Sequence, residues 1–136
     1  MSRRPRRARP NVLSRAQYRQ TVPEHDLQAA VMEYLRLNAR LDVYYFAIPN
    51  AAKRSWKAAA LMKAEGLTAG VADLCIMLMG GRTAWLELKT AKGTQRQAQI
   101  NFQIICTTLG HPYYLVRTLE DAIAALRALE ALKGDL

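Results

Sequence analysis

The segment GVADLCIMLMGGRTAWLELK, residues 70–89, decides the fold of this chain. Two apolar runs flank Gly80-Gly81, and this arrangement predicts a β-hairpin. Side chains alternate between the two faces of a strand. Glu87 and Lys89 are therefore expected on one face of the second strand, and the apolar residues at the intervening positions on the other.

The apolar faces of the two predicted strands should coincide, because a one-residue slip would put one of them in water. The numbers of paired residues must then have an even sum, for example Leu74 opposite Leu88. A three-residue turn, Gly80–Arg82 or Met79–Gly81, supplies such a register, whereas a two-residue turn would need a bulge. The same register puts Asp73 on the face of the glutamate and the lysine.

Two carboxylates and an ammonium are thus predicted at one end of the hairpin. Carboxylates that lie close together repel unless a cation separates them, and an oxygen-only pair suits Mg²⁺ or Mn²⁺. Lys89 could hold an attacking water or stabilise charge on a phosphoryl group. The alternative is an ordinary surface ion pair of Glu87 and Lys89, with Asp73 unrelated to it.

The ordered motif resembles the virus-type replication-repair nuclease (VRR-NUC) domain, a family of the PD-(D/E)XK nuclease superfamily. The matching parts of the sequence are Gly70–Leu74, Glu87–Thr90, Lys92-Gly93 and Gln99. The resemblance extends from about Glu24 to Ala122. Ala72 departs from the pattern, because superfamily members usually have proline there, and this departure affects no ligand.

The resemblance implies a Mg²⁺- or Mn²⁺-dependent endonuclease site. Asp73 and Glu87 would hold the metal, and Lys89 would position or help deprotonate the attacking water. Glu24 matches a family glutamate at the start of the first helix that faces the metal, although it could be an ordinary acid of a helix N-terminus. Gln99 matches a glutamine that approaches the active site, although a helix glutamine is often merely solvated.

The predicted elements follow the order helix, strand, helix, two-stranded hairpin, helix, strand, helix. Helices are predicted at 23–39, 56–65, 95–109 and 118–131, and the outer strands at 43–48 and 112–117. Thr94 is expected to cap the third helix, and Thr118 begins the fourth with a capping-box-like sequence. This order predicts an α/β fold with a four-stranded mixed sheet flanked by helices, in which the last strand pair is parallel. It is also the restriction-endonuclease-like core that the resemblance implies.

The charge of the chain is unevenly distributed. The net charge of the 136 residues is +9, and residues 1–20 contain seven arginines and no acidic residue. The remainder carries thirteen basic against eleven acidic residues. We expect a disordered basic arm over residues 1–20 that suits phosphate backbones, followed by one domain over residues 21–136. The alternative for the arm is a solubilising tail.

Further residues are predicted to contact DNA. A basic segment contains Lys53, Arg54 and Lys57 around Trp56, and cations beside an aromatic ring suit phosphate contact and base stacking. The alternative is that Trp56 packs in the core while the cations are solvated. The other predicted contacts are Gln28, Asn50, Gly70 and Lys92.

Composition excludes several classes of protein. No run approaches eighteen apolar residues, which argues against a transmembrane helix, and no apolar segment follows the basic N-terminus as in a secretory signal. Cys75 and Cys106 are expected to be buried free thiols in a reducing cytoplasm, and the chain has no Cys/His cluster for zinc. The expected location is the cytoplasm of a bacterial or phage-infected cell; the phage origin follows from the resemblance alone.

The leading functional hypothesis is a metal-dependent DNA endonuclease. The resemblance further suggests branched DNA such as four-way (Holliday) junctions as substrate, a homodimer as the active form, and a role in DNA repair. A non-catalytic nucleic-acid-binding module is the alternative, although the complete set of two acids and a lysine weighs against it. A scaffold whose arm binds an acidic protein or a membrane is disfavoured, since no amphipathic basic helix is present.

Overall fold

The structure is a computed structural model that describes residues 23–49 and 56–135. The predicted basic arm lies outside the described residues. So do three of the predicted DNA contacts, Asn50, Lys53 and Arg54. The boundary between the arm and the domain therefore stays a prediction.

The predicted order of elements is confirmed. The elements are α1 (Pro23–Asn38), β1 (Tyr44–Ala47), α2 (Trp56–Ala64), β2 (Leu74–Leu78), β3 (Arg82–Leu88), α3 (Gln97–Leu109), β4 (Tyr113–Val116) and α4 (Leu119–Ala128). In the described residues the four strands form one sheet in the order β1-β2-β3-β4. β1, β2 and β3 are antiparallel neighbours, and β4 runs parallel to β3. The α/β fold with a mixed sheet is thus confirmed.

The hairpin has the expected kind of register. Leu74 pairs with Leu86, so the paired numbers have an even sum, and the connection is the three-residue turn Met79–Gly81. The pairing expected as an example, Leu74 opposite Leu88, is wrong, because the partner of Leu74 lies two residues earlier in β3. Both turn glycines have positive φ, +81° and +73°, which lets the chain reverse before Arg82 and pair that residue with Leu78.

The hydrophobic core lies between one face of the sheet and helices α1 and α4. Ile76 and Leu86 of the hairpin, Val31 and Leu35 of α1, and Leu126 of α4 are all at most 1% exposed. Full burial of each such side chain contributes about 1.5–3 kcal/mol. The opposite face of the sheet is left for α3 and for the polar residues of the hairpin.

Helix α3 packs on that opposite face through aromatic rings. The ring of Phe102 makes an edge-to-face contact with Trp85 at a centroid distance of 5.2 Å, and it lies 6.2 Å from the ring of Tyr113. Cys75 and Cys106 are both buried, as predicted. None of the described helices is long and apolar enough to cross a membrane.

The predicted start of α3 is wrong by two residues. The helix begins at Gln97 with Arg96 as the N-cap, so neither Thr94 nor Gln95 starts it. The helix begins there because the side chain of Gln99, in its first turn, caps it: Gln99 Oε1 accepts the backbone N–H of Arg96 at 2.8 Å. Gln95 is held before the helix by tertiary hydrogen bonds to Gln103 and Tyr113.

The predicted start of α4 is confirmed and its end is wrong. Thr118 is the N-cap, and its Oγ1 accepts the N–H of Asp121 at 3.1 Å. The helix ends at Ala128 because Glu130 turns the chain with φ 55°, after which Leu132 bridges to Ala39 next to α1.

The loop before β2 approaches the first turn of α3 closely at Gly70. Its φ is +85°, and a Cβ at this position would overlap the carbonyl of Ala98 and lie 2.7 Å from the backbone nitrogen of Gln99. Only glycine combines this backbone conformation with so close an approach. Gly70 therefore fixes where α3 begins relative to the hairpin.

We predict that Gly70→Ala destabilises the protein by about 3 kcal/mol, since strain of the left-handed backbone adds to overpacking. Urea unfolding gives the loss. The matched control is Gly66→Ala, because Gly66 also has a positive φ, +98°, but open space where the Cβ would lie. The control should cost only about 1–2 kcal/mol. Equal losses would contradict the assigned close approach.

Candidate active site

The hairpin brings Asp73 and Glu87 opposite each other. β2 begins at Leu74, which pairs with Leu86, so the same register carried one residue further puts Asp73 across from Glu87. Lys89 follows at the end of β3 and lies on the same face as Glu87, because two residues separate successive side chains on a face. The intervening Leu88 is 2% exposed and faces the core.

The Asp73 carboxylate is held by the backbone of the neighbouring strand. Its Oδ2 accepts the N–H of Leu88 at 2.7 Å. Burial raises the pKa of Asp73, and the negative charge of Glu24 raises it further. The Leu88 hydrogen bond and the charge of Lys89 act in the opposite direction, and the net pKa is above the ordinary value.

Glu87 is the most constrained ionisable group of the site. The residue is 1% exposed, and its Oε1 accepts a hydrogen bond from Gln99 Nε2 at 2.7 Å. Among the described residues no donor contacts Oε2, which is also buried. Burial raises the pKa of Glu87 to about 7, with a further contribution from the Asp73 charge, while Lys89 lowers it.

A divalent cation fits this pair of carboxylates. A buried carboxylate oxygen without a donor costs free energy. The pKa values of Asp73 and Glu87 are raised first by burial and further by neighbouring negative charge, and Lys89 offsets this only in part. Carboxylate oxygens are ligands that Mg²⁺ and Mn²⁺ prefer. In residues 23–49 and 56–135, no three His, Cys, Asp or Glu side chains form a metal-holding group by themselves. Backbone, water or substrate oxygens would have to complete the coordination.

Glu24 acts on the pair through its charge. It is the second residue of α1 and is exposed, yet its charge raises the pKa of both Asp73 and Glu87. Its role as a third metal ligand stays a prediction. Gln28 lies one helical turn further along and is half-buried, and its contact with DNA likewise stays a prediction.

Lys89 is an almost buried ammonium beside the carboxylates. Its side chain is 10% exposed, and Nζ lies 3.7 Å from Glu87 Oε1. The backbone N–H of Lys89 donates to Val116 O at 2.9 Å, so the parallel strand β4 holds the residue in place. A cation in this position partly balances the negative charge of the site and could orient a water or a phosphate oxygen.

Gln99 links the site to the first turn of α3. Its Oε1 accepts the N–H of Arg96, and its Nε2 donates to Glu87 Oε1. The two partners together fix the orientation of the amide, because the backbone N–H needs an acceptor and the carboxylate needs a donor. The structure thus brings the predicted residues Asp73, Glu87, Lys89 and Gln99 together.

Arg117 is a site-supporting residue that the sequence reasoning missed. Its Nη1 donates to the carbonyls of Thr90 at 2.6 Å and Gly93 at 2.7 Å. These carbonyls belong to the loop that joins Lys89 to α3. Since Leu88 pairs with Val116, Arg117 is the β4 counterpart of Lys89, and the parallel register could have revealed it.

Tyr113 and Gln95 form a second unpredicted contact near Glu87. Gln95 Nε2 donates to the Tyr113 hydroxyl at 3.0 Å and to Gln103 Oε1 at the same distance. Burial, aided by the charge of Glu87, raises the pKa of Tyr113 to about 12. No local sequence signal distinguishes Gln95 from Gln97, the exposed glutamine of α3.

Three further predicted DNA contacts, Lys57, Gly70 and Lys92, lie within the described residues. Lys92 is exposed in the loop that Arg117 holds, and Lys57 is exposed on α2. The close contact that Gly70 makes is with the backbone of α3. Binding of DNA by these three residues stays a prediction.

The mixed sheet, its strand order and the acidic hairpin define an α/β fold of the restriction-endonuclease-like type. A solved structure titled "VRR_NUC domain protein" matches with a TM-score of 0.64 and 20% identity, covering 77% of this chain and 85% of that one. Another, titled "VRR_NUC domain", has a TM-score of 0.52 and 13% identity, covering 76% and 92%. No family model and no curated protein sequence matches the chain. The chain therefore has the fold of VRR_NUC domains, and the resemblance is confirmed at the level of the fold.

We predict that Glu87→Gln stabilises the metal-free protein at high pH. The folded-state pKa of Glu87 is about 7 against an ordinary 4.5, so the folded protein holds a proton that the unfolded chain releases between these values. Stability must then fall as pH rises through this window. At pH 8 the variant should be more stable than wild type by about 3 kcal/mol, and near pH 4.5 about equal.

Urea unfolding in EDTA at pH 4.5, 6 and 8 measures this difference. Glu33→Gln is the matched control, since Glu33 is exposed and forms a surface ion pair with Arg36. Added Mg²⁺ should stabilise the wild type and leave the Glu87→Gln variant unchanged. If the stabilities of wild type and variant depended on pH in the same way, Glu87 would not be the group with the raised pKa.

Arg117→Ala should loosen the loop after Lys89. The substitution leaves two carbonyls without their charged donor, and we expect a loss of about 1.5–3 kcal/mol in urea unfolding. Amide hydrogen exchange at Gly93, whose N–H donates to Thr90 Oγ1 at 2.9 Å, should accelerate. Arg127→Ala is the control, because that side chain is 62% exposed and should change stability by less than about 0.5 kcal/mol. Unchanged exchange at Gly93 would contradict the assigned contact.

Proposed function

We propose that this chain is a divalent-metal-dependent DNA endonuclease that hydrolyses phosphodiester bonds. The observation that carries the proposal is the buried Glu87 Oε2, which has no donor in the described part of the chain. A second carboxylate and an ammonium lie beside it. The VRR_NUC fold of the chain adds support, because nuclease activity is what the motif resemblance implies.

In this proposal Asp73 and Glu87 hold Mg²⁺ or Mn²⁺, and Glu24 contributes through its charge or as a further ligand. The bound metal would stabilise negative charge on the scissile phosphate and lower the pKa of a water. Lys89 orients the attacking water and balances charge as the phosphodiester bond breaks. The resemblance implies that hydrolysis leaves a 5′-phosphate.

Two residues position this machinery. Gln99 holds Glu87 Oε1 and thereby leaves Oε2 directed away from the amide, while Arg117 holds the loop between Lys89 and α3. Because positions of reacting groups matter at the scale of an ångström, these hydrogen bonds are part of the proposed function.

The proposed substrate is branched DNA, with four-way junctions as the leading candidate. The support is the motif resemblance together with the net charge of +9. The proposed active form is a homodimer, since two-fold symmetry would direct two sites to two strands. A role in DNA repair in the cytoplasm of a bacterial or phage-infected cell belongs to the same proposal.

A non-catalytic nucleic-acid-binding module is the alternative. Such a protein gains little from a buried and a half-buried carboxylate that face phosphates, and their raised pKa values indicate that they cost stability in the absence of a cation. The carboxylate pair therefore favours the enzyme.

The deciding experiment uses labelled four-way junction, flap and linear duplex DNA in Mg²⁺, Mn²⁺ and EDTA. We expect cleavage that requires metal and falls at least about 100-fold in Lys89→Ala and Glu87→Gln. Lys133→Ala is the matched control, because this exposed lysine donates from Nζ to the carbonyl of Leu37 at 3.2 Å and belongs to none of the predicted metal or DNA contacts. Tight DNA binding without cleavage in either metal would leave the binding module as the function.

A further inference from the structure

Helix α2 exposes a large aromatic ring to solvent. None of its nine residues, all of them described, is buried, and Trp56 is 91% exposed. The alternative that Trp56 packs in the core is therefore wrong. Leu61 of the same helix is 60% exposed. An indole left in water on an otherwise well-packed domain marks a surface that another molecule can cover.

The exposed indole is part of a groove with a definite chemical character. Trp56, Ala59, Ala60 and Lys63 line it, and their spacing puts them on one face of the helix. The two alanines are small, so they leave the flank of the indole open. The helix carries two lysines, Lys57 and Lys63, and no acidic residue within its bounds. The groove is thus apolar along its floor and cationic at its edge.

The described segments that precede and follow α2 both reach the rim of the carboxylate site. Upstream, the backbone N–H of Ile48 donates to the carbonyl of Asp73 at 2.8 Å. Downstream, the chain reaches Gly70, which lies against the first turn of α3. Five residues lie between Ala64 and Gly70, so six Cα–Cα steps limit their distance to about 22 Å. A strand bound at the carboxylates could therefore continue to α2 within a few nucleotides.

We propose that this face of α2 binds an unpaired base of the DNA substrate, stacked on the indole of Trp56, with Lys63 and Lys57 contacting the flanking phosphates. The inference deepens the proposed function and rests on it only in taking DNA as the ligand. A protein partner is less well matched, because the face combines one flat ring with cations, as single-strand-binding surfaces do.

The chemistry also specifies which part of DNA can bind. Within a duplex, neighbouring bases cover the faces of each base. An indole can therefore stack only on an unpaired base whose face is exposed. Branch points, flaps and frayed ends supply such bases. The groove would therefore favour DNA that contains unpaired nucleotides over intact duplex.

The first test uses tryptophan fluorescence in EDTA, which removes the metal that the proposed cleavage requires. The chain has two tryptophans, and Trp85→Phe leaves Trp56 as the only one while keeping an aromatic ring against Phe102. The probes are a thymidine oligonucleotide and an abasic oligonucleotide of the same length and charge. The thymidine probe should quench the Trp56 emission and the abasic probe should not. Equal quenching, or none, would overturn the proposal.

The second test measures affinity for the same two probes in the wild-type background. Trp56→Ala should weaken binding of the thymidine probe at least about fivefold and leave the abasic probe unchanged, whereas Trp56→Phe should retain most of the affinity. Leu61→Ala is the matched control, an exposed apolar residue of the same helix, and should have no effect. Equal loss on both probes, or no loss, would overturn the proposal.

Two outcomes separate this inference from competing explanations. If Trp56→Ala turns a dimer into monomers in sedimentation without a selective loss for the thymidine probe, the face is an interface between copies, and the inference is wrong. Cleavage is measured independently. Trp56-dependent binding without metal-dependent cleavage would overturn the nuclease and uphold the base site. Metal-dependent cleavage without Trp56-dependent binding would uphold the nuclease and overturn the base site.

Discussion

The burial of the Glu87 carboxylate is the constraint on which the rest of the site depends. Removing a charge from water costs several kcal/mol, and neighbouring groups must offset most of that cost. A hydrogen bond from Gln99 and the ammonium of Lys89 do so on one oxygen. The other oxygen is left without a donor in the described residues, and the pKa rises accordingly. The protein thus tolerates a destabilised group where a ligand of positive charge would relieve it.

The scaffold around this group is built to hold it in place. The core helices cover one face of the hairpin, so the leucines that alternate with Glu87 fix the strand in register. On the other face, the loop at Gly70 and the loop held by Arg117 set the position of α3, whose first turn supplies Gln99. One face of the hairpin therefore contributes to stability through the core, and the opposite face positions the residues of the site.

The parts that local pattern determines could be predicted from the sequence. Two-residue alternation along the hairpin put Asp73, Glu87 and Lys89 on one face, and the requirement that apolar faces coincide gave the parity of the register. Parity alone could not choose between the two three-residue turns. The start of α3 could not be predicted, because it depends on contacts of Gln95 and Gln99 with residues distant in sequence. Arg117 was missed because its role follows only from the register of the parallel strand β4, which the local pattern does not give. The exposure of Trp56 was left open for the same reason, since only packing decides whether an aromatic residue after a basic segment is covered.

The dual hydrogen bonding of Gln99 makes the carboxylate and the helix terminus parts of one equilibrium. The same amide caps α3 and contacts Glu87, so a change in the charge or the orientation of the carboxylate alters the free energy of the capped first turn. Coupling of this kind is reciprocal: whatever orders the N-terminus of α3 also favours one orientation of the carboxylate, and the converse holds with the same free energy. A nucleic acid that orders the loop before α3 and a cation that fixes the orientation of Glu87 would then bind cooperatively, even apart from any direct contact between the two ligands.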